Sequence, residues 1–187
     1  MTLNGSEVEE THGETEEIQD RVVDDEILYR RVPRNTAETR YYNRSGRRVL
    51  VAPVTFSERA IEKGKPFAGE YRLSVDRAKL RGNSPDLTRQ GVPGREPGTV
   101  RNPEEFGVVS MPAFEVWAVP GVVDIIPDPI ANDPILPDNP AHALICVAYS
   151  ASASKTANNN TLREVIDELA AMANRRPWEI DPPDDLT

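Results

Sequence analysis

The chain has 187 residues, 38% of them hydrophobic and 28% charged, and its formal net charge is −9 at pH 7. This length suits one core with a tail or two. No apolar run approaches the roughly 20 residues of a membrane span, and residues 1–20 do not resemble a signal peptide, so we expect a cytoplasmic protein. The single cysteine excludes an internal disulfide, and with only two histidines it falls short of a structural zinc site, so we expect no metal and no cofactor.

Charge is distributed unevenly along the sequence. Residues 1–26 hold ten acids and one base, residues 27–101 hold 17 bases and 7 acids, and residues 102–187 hold 4 bases and 14 acids. The first 25 residues contain too little apolar surface to offset the entropy lost on ordering. We therefore predict a disordered acidic tail over 1–25, followed by a single domain over 26–176.

The first half of this domain is predicted to contain two clear strands. Residues 26–32 (EILYRRV) have the β-branched and aromatic content of a strand, and residues 71–75 alternate polar and apolar side chains. Between them, the apolar run 49–56 includes Pro53, which favours an edge strand or two separate pieces. A capped helical turn is predicted over 58–63.

A long loop and three strand-like runs come next. Residues 81–105 form a loop longer than a compact domain normally carries, with a brief helix at 86–90, which indicates a functional loop or a flexible insert. The runs 107–111, 113–119 and 122–126 are each bounded by proline or glycine. Their short spacing favours antiparallel pairing as a meander.

The C-terminal part is predicted to hold a central strand and the main helix. Residues 141–149 are the most continuous apolar run of the chain and predict the central strand. After a polar linker over 151–160, Thr161 and Glu164 form a capping box, and Pro177 ends the helix. The apolar face of this helix consists of Leu162, Val165, Ile166, Leu169, Met172 and Ala173.

Together these elements predict an α+β fold, a mostly antiparallel sheet with one amphipathic C-terminal helix. Residues 177–187 then form an acidic C-terminal tail, and Trp178 is the residue expected to anchor it.

Cys146 and His142 lie four residues apart in the predicted central strand. At about 3.3 Å per residue the strand separates them by about 13 Å, too far for a local nucleophile and base pair. Cys146 is therefore interpreted as structural. His142 follows a proline-rich loop, where it either fastens that loop by hydrogen bonds or acts as a general base or ligand contact.

The segment 29–48 is the strongest sequence signal for a ligand. It interleaves tyrosines with seven arginines and has no lysine, and arginine offers paired donors to phosphate or carboxylate. The acidic residues before it could occupy this segment in cis, so deleting residues 1–25 is expected to strengthen polyanion binding. No phosphate-binding glycine motif is present.

Three functions remain open from the sequence. The first is a non-enzymatic accessory protein that binds a protein partner, and the second is a nucleic-acid or nucleotide binder acting through residues 29–48. The third is a small transferase or hydrolase acting on a nucleotide. No residue is assigned as catalytic, and the oligomeric state is left open. The candidate binding residues are Arg30, Arg31, Tyr42, Arg44, Arg48, Asp76 and His142.

Three short motifs resemble a group of small uncharacterised bacterial proteins. They are ILYRRVP, RLSVDRAKL and DNPAHALI, and the resemblance extends over residues 26–150. The resemblance implies a bacterial, cytoplasmic protein and carries no activity. This chain differs from the group in its longer acidic N-terminus and its proline-rich insert.

Overall fold

The structure, a computed structural model, describes residues 21–33, 50–56, 70–94, 96, 98–134 and 136–182. It contains a five-stranded antiparallel sheet and one long C-terminal helix, which confirms the predicted α+β class. The strands are β1 (Ile27–Pro33), β2 (Glu70–Arg77), β3 (Phe106–Pro112), β4 (Val122–Pro127) and β5 (His142–Ala148). The helices are α1 (Pro85–Arg89), α2 (Ala113–Trp117) and α3 (Lys155–Asn174). No helix in these ranges is long and apolar enough to cross a membrane.

The strand order is β3-β1-β2-β5-β4, so the predicted meander of three consecutive strands is wrong. β3 pairs with β1 over its whole length, and β4 lies at the opposite edge beside β5. The connection between the two edges contains α2, where a strand was predicted over 113–119. Ala113 and Val116 are buried there while Phe114 is exposed, which is the spacing of a helical turn.

The two faces of the sheet differ in chemistry because side chains alternate along each strand. The inner face packs against α3 and is almost entirely apolar. The outer face, turned away from α3, carries most of the polar side chains. Inner-face residues include Leu28, Val32, Leu73, Val75, Val109 and Ile145. Outer-face residues include Tyr29, Arg31, Ser74, Asp76, His142, Leu144 and Cys146.

Helix α3 begins seven residues earlier than the predicted capping box. Ser154 is the N-cap, and its side chain accepts a hydrogen bond from the main-chain nitrogen of Ala157 at 3.1 Å. Thr161 lies inside the helix, so the predicted start and the linker before it are wrong. The predicted apolar face is confirmed: five of its members are buried, and Ile166 packs against the core. The buried members are Leu162, Val165, Leu169, Met172 and Ala173.

Both described ends of the chain pack against the sheet. Val22, which precedes the predicted domain start at Glu26, is buried in the core. At the other end, Ile180 forms a bridge with Val108 on β3, and Trp178 packs against the core as expected of an anchor. A Cβ atom on Gly107 would lie 2.6 Å from Cζ3 of Trp178, which explains a glycine there. Residues 1–20 and 183–187 of the predicted tails lie outside the described residues.

The long segment 81–105 is built of short ordered pieces where the structure describes it. The brief helix predicted at 86–90 is confirmed as α1, which packs against β1 and β3. Within the apolar run 49–56, Pro53–Phe56 forms a 3₁₀ turn and not an edge strand, which was one of the two predicted alternatives. The helical turn predicted at 58–63 lies outside the described residues.

Candidate functional site

The polar side chains of the outer face meet where β2 and β5 pair. Asp76 and His142 are direct partners in the antiparallel register, so their side chains leave the sheet side by side. Ser74 lies two residues before Asp76 and therefore on the same face. The fold thus brings together two of the predicted site residues and adds a serine that the sequence did not single out.

His142 links Ser74 to Asp128. Its Nε2 atom lies 2.8 Å from Oγ of Ser74. Its Nδ1 atom lies 2.8 Å from the main-chain oxygen of Asp128 and 3.1 Å from Oδ2 of the same residue. This is the loop-fastening geometry predicted for His142, and it also has the hydrogen bonds that a general base needs.

The proline-rich connection after β4 is held in place by its own backbone. Ile130 and Asn139 exchange two main-chain hydrogen bonds, of 3.0 and 2.8 Å. The main-chain nitrogen of Asp128 donates to the oxygen of His142 at 2.9 Å. These bonds carry the carboxylate of Asp128 and the amide of Asn139 to the outer face.

Asp76 is the buried carboxylate of the site, with 6% of its surface exposed. Its Oδ2 atom accepts hydrogen bonds from Arg81, at 3.3 Å from Nε and 3.2 Å from Nη2. Its Oδ1 atom accepts one from Nδ2 of Asn139 at 2.8 Å. Both oxygens are therefore committed to groups of the protein itself, and Asp76 acts as the fixed counter-charge of Arg81.

Arg31 brings a third kind of group to this face, a cation without a paired carboxylate. Its Nη1 atom donates to the main-chain oxygen of Thr88 at 3.0 Å, and its guanidinium carbon lies 6.0 Å from the centre of the Phe106 ring. Arg101 stacks on the same ring at 4.5 Å and pairs with Glu105 at 2.7 Å. Among the described residues no carboxylate lies within ion-pair distance of Arg31.

The charges around Arg31 are not balanced. Burial lowers the pKa of Arg31; Asp76 opposes this shift, whereas the charges of Arg81 and Arg101 add to it. Asp76 and Glu105 are already paired with the latter two arginines. Of the charges that act on the Arg31 guanidinium, two are arginines and one is a carboxylate, that of Asp76, and Arg31 itself is partly buried.

Arg30 is not part of this cluster, because it points to the inner face. Its guanidinium donates to the main-chain oxygens of Ser74 and Thr55, and burial lowers its pKa to about 10. The pairing of β1 with β2 ends at Tyr29 and Asp76. Arg30 follows Tyr29, and its guanidinium bonds to the main chain of β2 at Ser74. Arg30 thus supports the strand that carries Ser74 and offers no surface for a ligand.

The remaining predicted binding residues, Tyr42, Arg44 and Arg48, lie outside the described residues. The arginine-rich segment 29–48 is therefore represented only by its first five residues, and two of these arginines, Arg30 and Arg31, occupy opposite faces.

Cys146 shares the outer face with His142 but is fully buried, with 1% of its surface exposed. Its thiol lies 3.8 Å from the main-chain oxygen of Leu144. It lies inside β5, and the ring nitrogens of His142 bond to Ser74 and Asp128 instead. The sequence-based separation of these two residues agrees with this geometry.

Four residues of the site were not named from the sequence: Ser74, Arg81, Asp128 and Asn139. Asp128 and Asn139 belong to a proline-rich stretch in which such residues normally form turns. Ser74 lies in the motif RLSVDRAKL together with Asp76, and Arg81 is the residue that follows this motif. The three motifs of the bacterial group occupy β1, β2 and β5 with their flanking residues, so they surround this site.

Within the described ranges, no group of three or more histidine, cysteine, aspartate or glutamate side chains is arranged to hold a metal ion. The comparisons with known proteins add no further assignment. No protein-family model, no curated protein and no solved structure matches this chain.

Proposed function

We propose that the outer face binds a small ligand that carries a phosphate or carboxylate group, with nucleotides among the candidates. The observation that supports this most is the partly buried Arg31, which has a neighbouring cation on each side and no carboxylate partner among the described residues. A desolvated guanidinium without a counter-charge costs folding energy. A bound anion would supply the missing charge.

Arginine is suited to this role because its planar group donates two parallel hydrogen bonds to a phosphate or carboxylate. Among the residues that the structure describes, only Nη1 of Arg31 forms a hydrogen bond, to the main-chain oxygen of Thr88. The nearby hydroxyl of Ser74 and the imidazole of His142 add polar groups that could orient the ligand. The proposed site therefore combines the Arg31 guanidinium with two further hydrogen-bonding groups, the Ser74 hydroxyl and the His142 imidazole.

The ion pairs of the basic segment 27–101 agree with a locally positive surface. Four of its arginines pair with acids among the described residues: three of these acids lie at positions 26, 76 and 86, outside the acidic half 102–187, and the fourth is Glu105, only four residues from its partner Arg101. These pairs therefore do not join the basic segment to the acidic half across the fold. The pairs with the first three acids are Arg77 with Glu26, Arg81 with Asp76, and Arg89 with Asp86.

A small ligand is favoured over single-stranded nucleic acid on this face. Binding a nucleic-acid strand requires aromatic rings on which bases stack. Of the rings described on this face, Phe106 already carries the guanidinium groups of Arg31 and Arg101, and Tyr29 is buried. The nucleotide hypothesis is therefore kept and moved from the segment 29–48 to the outer face.

Binding of a protein partner stays a prediction. Its best candidate surface is β4, a sheet edge whose outer side pairs with no strand in the part of the chain that the structure describes. Val123 on this edge is 59% exposed. Such an edge offers mainly backbone groups, whereas the outer face offers a specific set of side chains, so we place ligand binding first.

The test is a calorimetric titration of the full chain with inorganic phosphate, AMP and a short single-stranded oligonucleotide. We expect saturable binding of phosphate and AMP, weakened about tenfold or more in Arg31→Met, because a charge-assisted hydrogen bond contributes roughly 1.5–3 kcal/mol. Arg175→Met removes the same charge from an arginine at the end of α3 and should leave binding unchanged. Equal binding by Arg31→Met, or binding of the oligonucleotide alone, would contradict the proposal.

A further inference from the structure

The hydrogen bonds of His142 determine which ring nitrogen carries the proton. The main-chain oxygen and the carboxylate of Asp128 can only accept, so Nδ1 is the donor to both. In the neutral imidazole Nε2 then has a free lone pair, and the hydroxyl of Ser74 at 2.8 Å is its donor. The proton of Ser74 is therefore directed at a base that Asp128 orients.

A serine hydroxyl, an imidazole within hydrogen-bond distance and a carboxylate behind the imidazole form the arrangement that activates a serine nucleophile. Ser74 is partly exposed, and its side chain lies on the outer face. Ser110, on the same face of β3, offers a contrast: its Oγ atom lies 2.6 Å from Oε1 of Glu179, with no imidazole bonded to it.

We propose that Ser74 is a covalent nucleophile that hydrolyses an ester bearing an anionic group, with His142 as the general base and Asp128 as a positioning residue. This inference rests on the proposed function, because Arg31 would hold the anionic group. Tyr29 of β1 and Asp76 of β2 are direct partners in the register. Arg31 lies two residues after Tyr29, and Ser74 lies two residues before Asp76. In antiparallel strands both side chains therefore stand on the same face and on the same side of that pair.

The reaction balances as an ordinary ester hydrolysis. The Ser74 oxygen attacks the ester carbonyl carbon while its proton passes to Nε2 of His142. The alcohol leaves with that proton, and an acyl group remains on Ser74. Water then gives a proton to His142 and attacks the acyl carbon, after which Ser74 leaves and recovers its proton. One ester and one water are consumed, and one alcohol and one carboxylic acid are formed.

The test is labelling of the full chain with a fluorophosphonate, which phosphonylates activated serines and releases fluoride. Intact mass and peptide mapping should find one adduct on Ser74, formed roughly 100-fold more slowly in His142→Gln. Ser110→Ala is the matched control and should react like the wild type. A wild-type chain unlabelled at Ser74, or equal rates in His142→Gln, would overturn the proposal.

Two measurements separate this proposal from the anion site. Ser74→Ala should abolish labelling but weaken phosphate binding much less than Arg31→Met does, because it removes one neutral hydroxyl and keeps the Arg31 charge; these two results together support both proposals. Labelling of Ser74 in a chain that binds no phosphate would support the nucleophile and refute the anion site. Phosphate binding by a chain that is not labelled at Ser74 would support the anion site and refute the nucleophile. Asp128→Ala keeps the main-chain acceptor, so labelling should slow less than in His142→Gln, with circular dichroism confirming the fold.

Discussion

Arg77 on the inner face and Arg31 on the outer face differ in how the protein meets their positive charge. On the inner face, Arg77 is 1% exposed and is matched by Glu26, whose two oxygens lie 2.8 and 2.5 Å from its Nε and Nη2 atoms. On the outer face, Arg31 is held by a main-chain oxygen and a ring, with no carboxylate of its own among the described residues. Arg77 therefore has its counter-charge within the protein, whereas the charge of Arg31 is the one that the proposed anion would neutralise.

The same substitution on the two faces should therefore have unequal effects, and the larger is expected for Arg77→Met. It leaves Glu26 buried without a counter-charge, which costs about 3–5 kcal/mol of the free energy of unfolding. It also removes the 2.7 Å bond from Nη2 to the main-chain oxygen of Arg21, which holds the N-terminal segment. Chemical denaturation measures the loss.

The double variant Arg77→Met with Glu26→Leu provides the control for this first prediction. Because both charges are then absent, it should recover most of the stability that the single variant loses. A double variant as unstable as Arg77→Met would show that packing, and not the unpaired carboxylate, explains the loss.

The helix start gives an effect of intermediate size. Ser154→Ala removes the hydrogen bond to the nitrogen of Ala157 and should cost about 1 kcal/mol. Thr161→Ala, at the position that the sequence favoured as the cap, should change stability little, because its hydroxyl only bonds back to the oxygen of Ala157 at 3.3 Å. Thermal unfolding of both variants measures the difference, and equal losses would contradict the structure at this end of α3.

Arg31→Met is expected to change stability by less than about 1 kcal/mol. The variant loses one hydrogen bond and some contact with Phe106, but it also removes an unpaired charge from a partly buried position. Denaturation in the absence and presence of phosphate separates stability from binding: phosphate should stabilise the wild type and not the variant. A loss of stability as large as that of Arg77→Met would contradict the distinction between Arg31 and Arg77.

The smallest effect concerns Tyr29, whose pKa is raised above 10.0 by burial and by the negative charge of Glu179. The folded chain holds this proton more tightly than the unfolded chain does. The stabilisation is therefore complete below pH 10 and is lost as the pH rises through the folded-state pKa. The difference in tyrosinate absorbance between the wild type and Tyr29→Phe measures that pKa, and Glu179→Gln should lower it; no change would contradict the assigned cause.

Local pattern was enough to predict most strands and the apolar face of α3, because alternation and helical spacing are set by neighbours in sequence. The strand order was not predictable in this way: β3 pairs with β1 across most of the domain, and the apolar run 113–119 folds as a helix between the two sheet edges. The helix start was missed because Ser154 and Thr161 are both good caps; in the structure Asn158, which lies between them, is buried and bonds to the main chain of Ser150, a contact that no local pattern shows.

The candidate site was half predictable. Asp76 and His142 were named for their chemistry, but their proximity depends on the register of β2 with β5. Ser74 and His142 are 68 residues apart in sequence, and Asp76 and Asn139 are 63 apart, so no local pattern shows these contacts. Alternation in a strand sends Arg30 and Arg31 to opposite faces. The sequence did not show which of the two faces the core.

The most direct test of the anion site follows the imidazole signals of the full chain by nuclear magnetic resonance during a titration with inorganic phosphate. The chain has two histidines, so His12 serves as an internal reference for His142. We expect the His142 signal to shift saturably while the His12 signal does not, and we expect Arg31→Met to abolish the His142 shift. Unchanged signals, or equal shifts of both histidines, would contradict the claim that the outer face binds an anion.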